Sequence, residues 1–318
     1  MYMVSLLSIL PFTAPACGSA QGGGEAPEAP KVYFVRDITP ENMVRLYEAL
    51  ERPATGKVAV KLSTGEPGGH NFLKPELIKE LVQKVDGTIV ECNTAYGGGR
   101  ASTENHLKAA AHGFTAIAPV DIMDAEGEVS LPVKGGRHLR ENFVGSHYPA
   151  YDFTVVLSHF KGHAMGGFGG AVKNISIGIA SSAGKAWIHS AGKTKNAAQM
   201  WGNLPAQDDF LESMAEAAKS VADHCGEKIL YINVMNNLSV DCDCDAHPED
   251  PKMGDIGILA STDPVALDKA CVDLVYASPD PGKVHLIERM ESRHGIHTLE
   301  HGEAIGLGSQ QYELVELE

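Results

Sequence analysis

From Lys31 onward, short runs of β-branched and aromatic residues alternate with longer stretches in which apolar residues recur every three or four positions. Val32-Tyr-Phe-Val35 is the first such run. Thr39-Pro40-Glu41 then supplies an N-cap with proline at the first helical position. Met43, Leu46, Tyr47 and Leu50 follow at helical spacing, which predicts a helix over Pro40–Glu51 with one buried face. The pattern repeats along the chain. A strand is expected over Lys57–Leu62, and Lys74-Pro75-Glu76 opens a helix carrying Leu77, Ile78, Leu81, Val82 and Val85. Gly87–Val90 leads into a third strand, Ser102 or Thr103 caps a helix running to His112, and Thr115–Ala118 reads as a fourth strand. Farther along, Tyr151–Ser158, Lys228–Val234 and Asp255–Leu259 read as strands. Ala206–Cys225 is an amphipathic helix, and Asp263 caps a helix over Val265–Tyr276. The remainder predicts a helix and a short strand covering a sheet edge.

Alternation of this kind with short connections predicts an α/β fold, a largely parallel sheet with flanking helices. No repeat of solenoid period is present. Open parallel sheets bind ligands beyond the carboxyl ends of their strands, and the loops leaving four of these strands are unusual. They are STGEPGGH from Ser63, NTAYGGGR from Asn93, SHFKGHAMGGFGGAVKN from Ser158, and SVDCDCDAHPED from Ser239. All four are expected to open on one edge and share a crevice. Glycines let the backbone approach a ligand and aim N–H groups at an anion. That makes Gly68, Gly69, Gly97, Gly98, Gly166, Gly167, Gly169 and Gly170 candidate ligand-binding positions, with Arg100 and Lys173 adding charge. His159, Lys161 and His163 are the candidate catalytic residues: Lys161, with Arg100 and the glycine amides, would hold an anion, and the two histidines, with His70, could move protons or ligate a metal. The plainer alternative is that the glycines only make tight turns and each histidine caps something.

Familiar nucleotide motifs fail. Gly178 to Ala186 has one residue too many for a P-loop and no Ser or Thr after Lys185, and Trp187 stands where the Ala191-Gly-Lys-Thr194 run needs its first glycine. A dinucleotide fingerprint at Gly166 lacks its following strand-end acid. No Gly-x-Ser-x-Gly nucleophile elbow occurs.

Composition changes the picture in two places. The formal net charge of −15 over 318 residues argues against a nucleic-acid surface and against attraction to anionic lipid. The partners left are a small-molecule anion or a metal ion. The N-terminus differs from the rest: Met3–Phe12 is apolar and too short to span a bilayer. It resembles the core of a secretory signal, and Ala14-Pro-Ala-Cys17 looks like a lipoprotein cleavage site. The expected organisation is therefore a signal over residues 1–17 with Cys17 lipidated, a tether over 18–30, and one α/β domain over 31–318. Export with a membrane anchor at Cys17 is the expectation, a cytoplasmic location the alternative.

The acidic segment holds Cys242 and Cys244 one residue apart. In an extended segment alternate side chains share a face, so the two sulfurs would project together, away from Asp241, Asp243 and Asp245. With His247, or with His159 or His163, they suit a single soft transition metal, Zn²⁺ or Fe²⁺. Flanking carboxylates oppose thiolate formation unless a cation compensates. A redox or nucleophilic thiol pair, a hard-cation site on the aspartates and a tight structural loop are the other readings. Cys271 is expected in the core and Cys92 beside the site. Asp263 and Asp268 are expected to serve the N-terminus of their own helix.

Three ordered stretches carry a family resemblance: Ser158–Asn174, Tyr231–Cys244 and Asp255–Cys271. Together they resemble the domain-of-unknown-function 362 family, in its branch of uncharacterised Fe-S centre proteins. The resemblance implies no particular reaction. Members of that branch often carry a ferredoxin-like insert, which would fall in the interval Ser190–Pro205. That interval is short and holds no cysteine here, and a ferredoxin-type cluster needs four thiolates. The functional expectation is a metal-dependent enzyme, redox chemistry included, acting on a small anionic substrate. The alternatives are an exported metal- or anion-binding protein without turnover, and a degenerate member that lost its cofactor.

Overall fold

A computed structural model describes residues 28–318. Cys17, the signal-like segment and most of the tether lie outside the described residues. In chain order the elements are β1 (Lys31–Val35), α1 (Pro40–Ala49), β2 (Val58–Lys61), α2 (Pro75–Lys84), β3 (Gly87–Glu91), α3 (Thr103–Ala110) and β4 (Val120–Ile122). A hairpin of β5 (Glu128–Pro132) and β6 (Glu141–Gly145) precedes β7 (Phe153–His159), β8 (Lys161–His163) and β9 (Gly167–Gly169). Next come α4 (Ala171–Ser176), α5 (Ser182–His189), α6 (Ala197–Met200), α7 (Gln207–Cys225), β10 (Ile229–Met235) and β11 (Gly257–Ser261). The chain closes with α8 (Pro264–Ala277), α9 (Lys283–Ser292), α10 (His297–Ala304) and β12 (Glu313–Glu316).

Eight strands form one sheet in the order β12-β1-β11-β10-β7-β2-β3-β4. From β4 to β10 every pairing is parallel. β11 runs against both of its neighbours, and β12 lies parallel to β1 at the edge. The central strands are buried on both faces, as strands of a covered parallel sheet must be. Their side chains divide by alternation. Val58, Val60, Val155, Leu157, Leu230 and Ile232 pack with Met43 and Leu46 of α1 and Ile78 and Leu81 of α2. Ala59, Val156, Tyr231 and Leu259 meet Val172 and Ile175 of α4 and Leu267 and Cys271 of α8 on the other face.

Capping follows the sequence. The Thr39 hydroxyl accepts from Asn42 N at α1, and one Asp263 oxygen accepts from Val265 and Ala266 N at α8. Asp268 does something else. It accepts from Ala171 N and Val172 N at 2.7 and 2.9 Å and from Asn233 Nδ2 at 2.7 Å. It therefore clamps the start of a neighbouring helix, α4, to β10. Burial raises its carboxyl to about 6.

Two expectations are corrected. Thr115–Ala118 is not a strand: a 3-10 turn over Phe114–Ala116 buries Phe114, and the edge strand begins at Val120. Pro119 intervenes and cannot donate to a ladder, so the strand starts after it. The glycine-rich stretch after β7 is not an open loop either: β8 and β9 pair as an antiparallel hairpin, Lys161 opposite Gly169 and His163 opposite Gly167.

Candidate functional site

β2, β3, β7 and β10 run in one direction, so the four unusual segments do emerge on the same edge of the sheet. They close around a small cavity of about 70 Å³. Its walls include Lys61, Glu91, Cys92, Arg100, His159, Lys161, Lys173, Lys185, Cys242 and Cys244. A wider opening of about 290 Å³ lies outside it, lined by Glu66, Tyr96, Gly97, Gly98, His163 and again by Cys242 and Cys244. The sulfurs thus line both spaces.

The acidic segment is a turn, not an extended run, with Asp245 N donating to Cys242 O at 2.9 Å. The turn brings several donors onto one sulfur. Cys244 N–H lies 3.3 Å and the Cys244 thiol 2.7 Å from Cys242 Sγ, and Lys173 Nζ from α4 lies 3.7 Å away. His163 completes the group: one of its ring nitrogens and both sulfurs lie within 4.8 Å of one another. Its Nδ1 accepts Gly166 N–H at 2.8 Å and Met165 N–H at 3.3 Å. A neutral imidazole that accepts at Nδ1 carries its proton on Nε2, so the ring donates toward Cys242. Burial holds the His163 pKa down, in keeping with that neutral form.

The consequence is a divided pair of thiols. The Cys244 thiol donating to it, with Lys173 and His163, draws the Cys242 thiol well below its ordinary range. Cys244 is pushed the other way, well above, by sharing its proton with Cys242 and by burial. Against the penalty of burial, the Cys242 thiolate keeps Lys173 raised.

The flanking carboxylates are each turned onto other partners. Asp243 turns onto His159 Nδ1 at 2.8 Å and Lys161 Nζ at 3.0 Å, which hold its carboxyl at about 2 despite full burial. Asp241 accepts from Glu249 N and Asp245 from His247 N.

Several expected site residues have other employment. His159 faces Asp243 from Nδ1 and Asn236 O from Nε2, at 2.8 and 2.6 Å. Both partners are acceptors, so the ring donates from both nitrogens and has no lone pair left for a metal or a substrate proton. Lys161 is committed to Asp243 and the His159 carbonyl. His247 is exposed on the outward limb of the loop and stands apart from the sulfur cluster. His163 occupies the place that His247 was expected to take. His70 pairs with Asp250 at the surface. Arg100 is buried between Glu66 and Glu91, with Nε 3.0 Å and NH1 3.2 Å from their oxygens.

The glycines mostly bring loops together. A Cβ on Gly68 or Gly69 would meet backbone oxygens of Ala246 or Asp245 at 2.9–3.0 Å, and one on Gly167 would meet Gly295 at 2.9 Å. Gly69 N–H is taken by Glu66 O, and Gly166 N–H by His163. Gly97 and Gly98 line the outer opening, both at φ +84°, and Gly169 and Gly170 line the inner cavity. A Cβ on Gly170 would strike Asp268 Oδ1.

Sequence reasoning missed Lys61, Glu66, Glu91 and Lys185. Lys61 and Glu91 end the strands VAVK and GTIVE. A charge at the last position of a strand buried on both faces was the available signal. Glu91 accepts from Thr64 N and Oγ1 as well as Arg100. Lys61 Nζ reaches the Leu62 carbonyl and Asn174 Oδ1, and burial lowers it to about 8. Lys185 Nζ reaches the carbonyls of Ala180 and Cys92, and burial lowers it too. Cys92 lines the cavity but is a protonated thiol, pushed up to about 12 by burial.

The family model described as Domain of unknown function (DUF362) matches residues 58–273. No curated protein matches the chain. The lactate racemase apoprotein from Thermoanaerobacterium thermosaccharolyticum is similar at 16% identity and a TM-score of 0.44, over 76% of this chain and 57% of that one. A structural-genomics crystal structure of a Thermotoga maritima protein is similar at 14% identity and a TM-score of 0.40, over 74% and 58%. The chain spans little more than half the length of either.

Proposed function

The chain belongs to the DUF362 family, and on that premise we propose that it is a thiol-dependent enzyme acting on a small anionic substrate. Cys242 is the nucleophile and Cys244 the partner thiol that shares its proton. One observation carries this reading: donors from Cys244, Lys173 and His163 converge on a single, nearly buried sulfur at the neck of a cavity rich in cations. Reactive cysteines sit in electropositive, partly accessible surroundings of this kind. The thiolate, whose charge Lys173 and the His163 N–H balance before reaction, attacks the electrophilic atom of the bound anion and displaces a leaving group from it. Cys244, still protonated, is placed to give its proton to that leaving group.

A second reading has its own support. Two sulfurs and an imidazole nitrogen within 4.8 Å are the donor set of a single soft metal, Zn²⁺ or Fe²⁺. The two cysteines fit such an ion and would hold it at the cavity mouth. His163 fits less well as it stands, because a ligating imidazole donates its other N–H to an acceptor and Nδ1 here accepts. A four-thiolate cluster does not fit the described residues. Cys92 donates to the Ile179 carbonyl, Cys225 contacts Tyr148 and Thr154, and Cys271 contacts Asn233.

Alkylation of the purified protein by iodoacetamide across a pH series tests the first reading. Cys242 is expected to react with a midpoint well below the ~8.5 of a free thiol and to lose the fast phase in Cys242→Ser. Two slow thiols of ordinary midpoint would refute it. Stoichiometric zinc or iron that is lost in Cys242→Ser/Cys244→Ser would favour the second. Consumption of the anion separates an enzyme from a binding protein.

A further inference from the structure

The cations expected to hold the anion, Arg100 and Lys161, are already matched by Glu66, Glu91 and Asp243. Lys173 is matched by the Cys242 sulfur. Two more ammonium groups line the inner cavity, Lys61 and Lys185, exposed by only 1% and 4%. Among the described residues, neither is bonded to a carboxylate. Their partners are main-chain carbonyls and one side-chain amide oxygen. Burying a cation without a counter-charge is costly, and two that face one small cavity are a standing demand for negative charge.

We propose that the inner cavity is a subsite for a doubly charged oxyanion, of phosphate or sulfate type, held between Lys61 and Lys185. This deepens the reading of a small anionic substrate given above and rests on it. The cavity, about 70 Å³, has room for a few water-sized groups and thus for one tetrahedral head group. Anything attached to that head group would extend past Cys242 and Cys244 into the outer opening. A dianion can pair with both ammonium groups at once, whereas a carboxylate brings a single charge. Asn174 adds a fixed amide beside Lys61, joined also to Ser158 Oγ at 3.0 Å. The groups that face the pair are Glu91, Arg100, Asp124 and the Cys92 thiol. Binding of a dianion favours the charged form of both lysines, so it is accompanied by proton uptake at a pH near that at which Lys61 is half-charged, about 8.

Calorimetric titration of the full chain with inorganic phosphate, sulfate, glycerol phosphate, acetate and nitrate tests this. The titrations are run near that pH in two buffers of different ionisation enthalpy. The expected result is that the dianions bind at least about tenfold more tightly than acetate or nitrate. Sulfate, which does not titrate, should bind with net proton uptake. Lys61→Met and Lys185→Met should each weaken dianion binding by about tenfold or more. Tighter binding of phosphate than of glycerol phosphate points to the free ion, and the reverse order points to a monoester. Acetate binding as well as sulfate in the unmodified protein, or dianion binding untouched in both folded variants, would overturn the proposal. Should either variant fail to fold, charge selectivity and proton uptake of the unmodified protein decide. Alkylation of Cys242 in the unmodified protein, read beside the anion titrations, separates the two claims. A slow Cys242 with intact dianion binding sinks the thiolate reading alone, and a fast Cys242 without charge selectivity sinks this subsite alone.

Discussion

Asp243 directs its carboxylate onto His159 Nδ1 at 2.8 Å, although it stands between two cysteines in the chain. That contact, with Lys161 Nζ on the other carboxylate oxygen, offsets the negative charge beside Cys242 and fixes the end of β7 to the acidic turn. His159 donates its second N–H to Asn236 O at 2.6 Å, which ties the same ring to the exit of β10. The loop therefore carries three aspartates within five residues and still presents an activated sulfur.

Asp243→Asn should be strongly destabilising. It leaves the buried His159 and Lys161 cations without their shared counter-charge, at a cost of about 3–5 kcal/mol. Chemical denaturation of the variant measures it. A loss below about 1 kcal/mol would mean that the pair does not hold the turn.

Lys173→Met should slow the chemistry rather than unfold the protein. The ammonium 3.7 Å from Cys242 is its only full cation partner among the described residues. Its loss should raise the midpoint of thiol alkylation by about one pH unit. The rate near neutral pH should then fall up to about tenfold. An unchanged midpoint would transfer the stabilisation to Cys244 and His163.

Gly170→Ala should cost about 1–3 kcal/mol through overpacking. The added methyl group would strike Asp268, and Asp268 is held by three hydrogen bonds and cannot give way. Since α4 carries Lys173 and Asn174, the same variant should also weaken sulfate binding. Thermal melts and calorimetry on one preparation read both effects.

The contribution of the α7 histidine–carboxylate seam to stability should be greatest in mildly acidic solution. Along α7, Asp208, Glu212 and Glu216 meet His294, His138, His297 and His301 at 2.6–3.3 Å. Against burial, hydrogen bonds from His138 and His297 lower Glu212, and those from His301 and the 137–139 backbone lower Glu216. A lowered carboxyl stabilises the fold above its unfolded pKa, about 4.3, and that contribution is lost as pH falls through the lower folded value. His297 is raised despite burial, by Glu212 and Glu300. Its contribution is complete below about 6.5 and is lost as pH rises through the higher folded value. The seam should therefore stabilise most between about pH 4.5 and 6.5. His297→Ala should flatten the upper limb of the stability curve, and an unaltered limb would show the seam to be inert.

Much of the scaffold was legible because its periodicities are strong. β2, β7 and β10 are largely apolar runs, α1 and α8 carry their own caps and prolines, and α2 carries its proline. Thr115–Ala118 misled because a β-rich composition was spent on a 3-10 turn that buries Phe114. The β5–β6 hairpin gave little signal, since β5 buries only Leu131 among half-exposed and exposed residues. At the site, the meeting of Cys242, Cys244 and His163 followed from strand direction. His247 stands apart from the sulfurs because proximity in sequence does not survive a turn that points it to solvent. The pairing of Arg100 and Lys161 was illegible, because their partners come from other loops. Lys61 and Lys185 were hidden for the converse reason: each sits in an apolar context where a lysine reads as a surface residue.

The placement of Cys242 and Cys244 on the wall between chamber and opening has a practical corollary. A reagent that caps either sulfur inserts its own bulk into the passage, so inactivation by alkylation and blockade of ligand entry become the same event. Occupancy of the chamber should in turn shield the sulfurs, which turns ordinary thiol labelling into a ligand screen that needs no knowledge of the reaction.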